Sequence, residues 1–583
     1  MKKLLALLLV LTMMLTMLAA CGSSSSSSDT DTAEETTETT EEEAEEEETE
    51  EAAEETAEAE ETEETEEAAE EDKGEFTPAS ATLPISEDGA TLTMFVELPG
   101  YMSGFNVNSY DDVEAFQYAE EITGVDIEFT IVNSETIDTQ FTLMVASGNL
   151  TDLIAGGSSM YTSAEQQIED GAAIDLLQYE DLLPNYFAAL EYYDDYQAVA
   201  ISDSGVMPEV VGISDDYSVS AGMQIRSDWL EKLGMDVPST YDEIYEVLTA
   251  FKVEFGADHA LLLTGSAQLS GSGLVGGMGS IGYETDSDNN MFVVDGVIQN
   301  GFLADGYKDY LEMIAQWYAE GLIASDFATA GSDPLTSDSD ALIQGGNAGI
   351  WTSQSDNLDS NVLQGQSLDA DYAIVAMAQP TLDGDLFHFG DDPVSSNAMG
   401  KSVAISEACE DIELACAWLD FWFTEEGITL ANYGLEGVSF EYDDNGDPVY
   451  TDAVMNNPDF PMISFAQTYY TVACVATVGD YDRAFAAYSD ANLAAMELWT
   501  ETSDNLYTIP STLELTIDES TEYSSLWSDI STYASTEVFK FAMGQYNFED
   551  DWDNFIETLE SMGIDRCIEI YQDAYDRYAA AHT

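Results

Sequence analysis

Between Asp29 and Asp72, 26 of 44 residues are acidic and the rest are almost all Thr and Ala. Such a stretch has no apolar surface to offset the entropy of ordering, and its charges repel one another. Its Ala and Glu favour local helix, but like charges at i,i+4 oppose it. The chain is thereby divided before any element is sought. A leader comes first, then a spacer expected to be disordered and expanded, then 508 residues from Phe76 that must carry the fold. At about 3.3–3.6 Å per residue, the roughly 60 residues from Cys21 to the first expected ordered segment reach up to about 200 Å.

In the leader, Lys2 and Lys3 precede an apolar run from Leu4 to Met17, and Leu18-Ala-Ala precedes Cys21. A basic start, a short apolar run and small residues before the cut describe a secretory signal peptide, not a membrane span. A cysteine directly after Leu-Ala-Ala resembles the lipobox of bacterial lipoproteins, where that thiol is acylated and becomes the new N-terminus. Residues 1–20 are therefore expected to be a lipoprotein signal peptide, and 21–85 a lipid-anchored acidic tether. Cys21 is the expected lipid anchor, carrying palmitate-type chains. That places the mature chain at the extracellular face of the cytoplasmic membrane, on the cell surface of a Gram-positive-type envelope.

The formal net charge is −105, and from Phe76 onward 90 acidic residues face nine basic ones. A surface of that sign repels nucleic acid, anionic lipid and polyanionic sugars, and accommodates a neutral or cationic small ligand more easily. A role in solubility alone is the competing account of the charge. The folded part is too long for one simple core and predicts two large lobes. No second apolar run approaches about 18 residues. Cys409 and Cys416 lie seven apart on a predicted helix, about 10 Å by helical rise and too far for a disulfide. Cys474 and Cys567 are also read as free buried thiols, with a bridge between them as the alternative.

Strand and helix patterns alternate along the chain. Residues 91–98 read as a strand, 113–123 as a helix, and Val125, Ile127, Phe129 and Ile131 alternate as a half-buried strand. Short buried strands are expected at 152–156, 372–377 and 402–405. Thr240 and Glu243 form a capping box for a helix that buries Ile244, Leu248 and Phe251. Tyr307, Tyr310, Leu311, Ile314 and Trp317 mark a second helix stopping at Gly321, and Ile412 to Trp422 a third closed by Gly427. The C-terminus is helical through Trp552, Phe555, Leu559 and Tyr571. Trp229, Trp317 and Trp418 fall on apolar stripes and are assigned to the core. The alternation predicts an α/β protein with mostly parallel sheets.

Six segments in order carry a family likeness: Met144-Val-Ala-Ser-Gly-Asn-Leu-Thr-Asp152, Gln224-Ile-Arg-Ser-Asp-Trp-Leu-Glu-Lys-Leu-Gly234, Tyr318-Ala-Glu-Gly-Leu-Ile323, Gly345-Gly-Asn-Ala-Gly-Ile-Trp351, Trp418-Leu-Asp-Phe with Glu425-Glu-Gly427, and Asn432-Tyr-Gly-Leu-Glu-Gly437. Over residues 90–580 the chain resembles the large extracellular solute-binding lipoproteins of bacterial carbohydrate ABC importers. The resemblance implies a two-lobed, periplasmic-binding-protein-like type II fold with the ligand cleft between the lobes. It implies an N-terminal lobe of 86–222 and 395–450, and a C-terminal lobe of 223–394 and 451–583. Its implied role is capture of a sugar or oligosaccharide by lobe closure, with delivery to ABC permease subunits, by a monomer without a cofactor. A receptor for a non-sugar solute such as a peptide, and a surface glycoside hydrolase, are the alternatives.

The residues this implies for ligand contact are Tyr101, Asn106 and Asn108 after the first strand, and Tyr161 after the third. Trp351 is read either as a sugar-stacking face or as core. Arg226 is read as a cleft donor or as an ion pair with Asp228. Glu436 either touches ligand or braces the hinge. Many relatives carry a calcium-like loop where this chain reads Val253-Glu-Phe-Gly-Ala-Asp-His259, which lacks alternating oxygen ligands, and no metal is carried over. Asp286-x-Asp288-x-Asn290 is read as a polar turn. With three scattered histidines, no Gly-x-Ser-x-Gly elbow and no P-loop, no catalytic residues are assigned and the chain is not read as an enzyme.

Overall fold

The longer strands of the two main sheets send their side chains alternately to opposite faces, and the buried members of that alternation build the interior; on β2 the alternate face, with Asp126, Glu128 and Thr130, is exposed. The computed structural model describes residues 76–581 except 100–101, 103–106, 135, 162, 215–217, 264–273, 282–289, 330–336, 383–385, 391–400, 444, 458–469, 471–473, 481, 486–487 and 511. The N-terminal apolar run with Cys21, the acidic tract, and positions 286–289 of the expected polar turn lie outside the described residues, while Asn290 at its end is buried with φ 51°. No described helix is long and apolar enough to cross a membrane.

The strands are β1 (Ala90–Glu97), β2 (Val125–Val132), β3 (Leu153–Ala155), β4 (Glu209–Val210), β5 (Ile213–Ser214), β6 (Ala221–Arg226), β7 (His259–Leu261), β8 (Met291–Val294) and β9 (Val297–Asn300). There follow β10 (Ala348–Gln354), β11 (Ile374–Ala376), β12 (Val403–Ile405), β13 (Phe440–Tyr442), β14 (Pro448–Tyr450) and β15 (Val478–Gly479). A five-stranded sheet has the order β2-β1-β3-β12-β4, and a four-stranded sheet the order β11-β6-β10-β7. The sheets are mixed rather than mostly parallel, because β12 and β6 each run against their neighbours.

In the first sheet Leu92, Met94 and Val96 enter the main first core, while Phe95 points to the other face beside Phe141 and Ile154. In the second sheet Met223, Ile225, Leu261 and Ile350 enter a large core, and Leu262, Trp351 and Ala376 pack on the reverse face. A period of two, with helices on both sides, is what a doubly covered sheet requires. The second core is completed by C-terminal helices Ile517–Ala542, Phe548–Met562 and Ile564–Ala581, which bury Trp527, Phe541, Trp552, Phe555 and Leu559.

Local signals place several elements where the sequence predicts them. Thr240 Oγ1 accepts the Glu243 N–H at 3.3 Å, the Glu243 carboxylate accepts the Thr240 N–H at 3.2 Å, and the helix runs Tyr241–Ala250. Trp229, Trp317 and Trp418 are all buried, and Cys409, Cys416, Cys474 and Cys567 are buried and unpaired. Three boundaries differ. Gly427 does not close the helix Ile412–Phe421; it sits inside the next one, Glu425–Tyr433, where a Cβ would lie 2.0 Å from the Phe421 carbonyl. The order expected to begin at 86 begins by Phe76, whose ring packs against Tyr192 and Tyr193 at 5.4 and 5.6 Å. Residues 474–478, expected in the C-terminal lobe, pack in the first core instead, because β15 pairs with β5.

Candidate functional site

Strand direction decides where the two sheets can meet a ligand. β1, β2 and β3 are parallel, and β4 shares their direction because both β3 and β4 run against β12. The carboxyl ends of these four strands and the start of β12 therefore share one edge. In the second sheet β7, β10 and β11 point the same way and β6 opposes them, so their carboxyl ends share an edge with Ala221. The chain crosses from β5 to β6 and from β11 to β12, joining these two edges and no others. Only residues 215–220 separate β5 from β6, so the edges lie within about 25 Å of each other. A third crossing leaves β15 for the helix Asp490–Thr502. That helix seats Trp499 over Gly222, where a Cβ would come within 2.4 Å of the indole. Crevices outside the carboxyl ends of strands are where open α/β sheets bind ligands.

At this junction lies a cavity of about 180 Å³, lined by Tyr161, Gln167 and Glu209 from the first lobe and by Leu513, Glu514 and Leu515 from the second. That is smaller than the roughly 300–1,000 Å³ of most ligand pockets, so it marks a place where the lobes touch. Glu514 accepts the Ala164 N–H at 3.0 Å, and Gln167 Nε2 donates to Glu209 Oε1 at 2.6 Å. Burial, with the charges of Asp203 and Glu165, pushes the Glu514 carboxyl up to about 7. Burial and neighbouring Asp170 hold the Tyr161 phenol above its ordinary value. At the second edge two buried acceptors, Asp356 Oδ1 just after β10 and Gln379 Oε1 just after β11, have no hydrogen-bond partner among the described residues. Buried acceptors are rarely left so, and either could receive a hydroxyl. Burial raises the Asp356 carboxyl.

Tyr101 and Asn106 lie outside the described residues. Asn108 is exposed beyond the end of β1, its N–H donating 2.8 Å to Asp112 Oδ2, and Tyr161 is half-buried beyond the end of β3. Both are thus on the facing edge. Two expectations of ligand contact are corrected. Trp351 is mid-strand opposite Gln224, 1% exposed, and donates Nε1–H to Gln224 Oε1 at 3.2 Å; no ring face is open. Arg226 ends β6 at the far edge of the second sheet and is 2% exposed. Its Nε and Nη2 donate to Asp228 at 2.7 and 2.9 Å, and its guanidinium lies between the rings of Trp229 (4.3 Å) and Tyr372 (3.9 Å). Burial works to raise the Asp228 carboxyl, yet the hydrogen bonds and charge of Arg226 hold it below its usual range. Glu436 is exposed in the turn after helix Glu425–Tyr433, where its backbone bridges to Phe440. Glu514, Asp356 and Gln379 carry no sequence motif; nothing short of strand order could have found them. No group of three or more metal-ligating side chains occurs among the described residues.

The profile of the bacterial extracellular solute-binding protein family matches residues 106–429, more than half of the chain. The chain is 22% identical over 502 residues to the fructooligosaccharide ABC transporter substrate-binding protein FusA of Streptococcus pneumoniae serotype 4 (strain ATCC BAA-334 / TIGR4), covering 80% of this chain and 87% of that one. It is 25% identical over 356 residues to lipoprotein LipO of Bacillus subtilis (strain 168), covering 60% and 67%. Among solved structures, the alginate-binding protein AlgQ2 without calcium ion superposes with a TM-score of 0.67 at 20% identity, covering 85% of this chain and all of that one. At that identity the superposition speaks for the fold, a two-lobed, periplasmic-binding-protein-like α/β architecture.

Proposed function

The chain belongs to the bacterial extracellular solute-binding protein family, and from that premise we propose that it captures a sugar or oligosaccharide between its lobes and hands it, unaltered, to the permease of an ABC importer. The observation that carries this reading is the meeting of two carboxyl-terminal sheet edges across the crossing segments, a hinged arrangement in which a ligand touching both edges favours closure. The fructooligosaccharide named for FusA supports the ligand class. Asn108 and Tyr161 on the first edge, with Asp356 and Gln379 on the second, are the residues proposed to meet sugar hydroxyls and apolar faces. Cys21 is proposed to carry the lipid that holds the chain at the cell surface, with residues 29–72 as its spacer. The mature chain is proposed to act as a monomer.

Thermal-shift measurements against a panel of oligosaccharides test the reading. A binding protein is stabilised by about 2.7 kcal/mol at a ligand concentration 100-fold above Kd, with no new reducing ends released. Stabilisation by peptides alone would overturn the ligand class, and turnover of any glycan the receptor role itself. Palmitate labelling that survives in a Cys21→Ser chain would overturn the anchor.

A further inference from the structure

At the junction cavity a side chain of one lobe meets a backbone donor of the other, and each partner is fixed within its own lobe. Glu514 directly precedes Leu515, which is buried in the second core. Its carbonyl lies 3.3 Å from Arg577 Nη2, and Thr516, two residues on, caps the helix Ile517–Ala542. Across the cavity, Ala164 is the first residue of the helix Ala164–Glu169, where the Ser163 side chain accepts the Gln166 N–H. The Ala164 N–H has no acceptor within that helix. The Glu514 carboxyl supplies one from the other lobe at 3.0 Å. Because both ends are anchored, this bond and the separation of the lobes must change together.

The charges around the contact set the conditions under which it holds. From the first lobe, Glu165 and Asp203 act on the Glu514 carboxyl with their own negative charge. Glu209 and Tyr161 also line the cavity, the first accepting Gln167 Nε2–H at 2.6 Å and the second facing Asp170. From the second lobe come Tyr571 and Arg577. Arg577 does not neutralise Glu514, since its guanidinium donates to the Glu519 carboxylate at 2.9 and 2.6 Å. The Ala164 N–H favours an ionised Glu514, but burial opposes it more strongly and the two like charges add to burial, so the group is pushed up to about 7. Ionisation therefore places a desolvated negative charge among others of its sign, at a surface that the lobes share.

We propose that Glu514 and the Ala164 N–H form a proton-gated latch between the lobes, which holds while the carboxyl is neutral and loosens as it ionises. This goes beyond the receptor reading and applies whatever solute the chain carries. When the lobes part, the carboxyl returns to water and to its ordinary 4.5, so the joined arrangement binds a proton that the parted one has released. The contribution is fully present below about pH 4.5 and is lost as pH rises through 7. Between pH 5 and pH 8 the joined arrangement is expected to weaken by roughly 10- to 100-fold relative to the parted one.

The test is hydrogen exchange on the full, ligand-free chain, reading the peptide that spans Ser163–Glu169 and correcting for the intrinsic pH dependence of exchange. Its protection should fall by roughly 10- to 100-fold between pH 5 and pH 8, and should stay level in Glu514→Gln. Asp203→Asn removes one of the like charges and should move the midpoint of the fall to lower pH, a shift that a merely structural role for Glu514 would not give. Small-angle scattering reads the lobes themselves. The parent should match Glu514→Gln in radius at pH 5 and exceed it at pH 8, the acidic N-terminal tract being common to both chains. A fall in protection that persists in Glu514→Gln, a midpoint unmoved by Asp203→Asn, or equal radii at pH 8 overturns the latch.

Discussion

Arg226 and Arg483 are the same residue type in opposite situations. Arg226 lies at the far edge of the second sheet, sealed between two aromatic rings, with its Nε and Nη2 on the two Asp228 oxygens and its buried Nη1 without a hydrogen-bond partner among the described residues. Arg483 lies four residues after β15, half-buried, with its Nε on the Asp480 carbonyl and its Nη1 3.3 Å from the Asn432 carbonyl and the Tyr450 hydroxyl. A buried charge that serves the fold must be paired within the fold, since taking it from water costs several kcal/mol. A sealed guanidinium ion-paired to a neighbouring carboxylate therefore reports on the fold rather than on a ligand. The aromatic residues divide in the same way: Trp351 is closed inside the second lobe, whereas Tyr161 opens on the junction cavity.

The largest effects should fall on the closed side of this comparison. Arg226→Leu leaves the buried Asp228 carboxylate with only the half-exposed Lys232 and the Ala373 N–H, and Trp351→Ala empties a core site; each is expected to cost about 3–5 kcal/mol of stability by denaturant unfolding. If instead either variant unfolds like the parent and loses ligand affinity, the placement of these residues outside the cleft is broken.

Glu514 should give a smaller effect whose sign depends on pH. Its carboxyl is raised from an ordinary 4.5 to about 7 in the folded chain, so the folded state holds the proton that the unfolded state has released. That contribution to stability is fully present below about pH 4.5 and is lost as pH rises through 7. Asp203 and Glu165 face the same carboxyl and reinforce its loss of stability once ionised. Glu514→Gln keeps an oxygen for the Ala164 N–H and removes the charge. Its melting temperature should match the parent near pH 4 and exceed it at pH 8; parallel curves across that range would remove Glu514 as a pH-sensitive contact between lobes. The smallest effect on stability is expected for Lys401→Gln, within about 0.5 kcal/mol or slightly stabilising, because burial and the charge of Arg483 already disfavour its ammonium. A loss comparable to that of Arg226→Leu would show that Lys401 serves the fold.

Much of the fold was legible along the chain. The alternation in Val125–Val132, the capping box at Thr240 and the stripe from Tyr307 to Trp317 depend on neighbours within a few residues, and the structure realises each. The helix end at Phe421 was not legible, since Gly427 reads as a stop but is required for close approach to the preceding turn. Among the candidate site residues, Asn108 and Tyr161 fell on the facing edge because residues after strand ends have few other places to go. Arg226 and Trp351 were ambiguous because a cation or an indole beside a strand suits a core and a cleft equally.

The sequence alone determined that an apolar N-terminal run and a highly acidic tract precede a long stretch of alternating strand and helix patterns, and that this stretch has enough periodic apolar residues for a large α/β interior. Those properties follow from composition and short-range spacing, which no tertiary contact can alter. Only the tertiary structure decided that β12 and β6 run against their neighbours, that 474–478 return to the first core, and which strand ends face one another. Strand direction and pairing join residues tens to hundreds of positions apart, and the same side chain becomes core or cleft according to which edge it ends on.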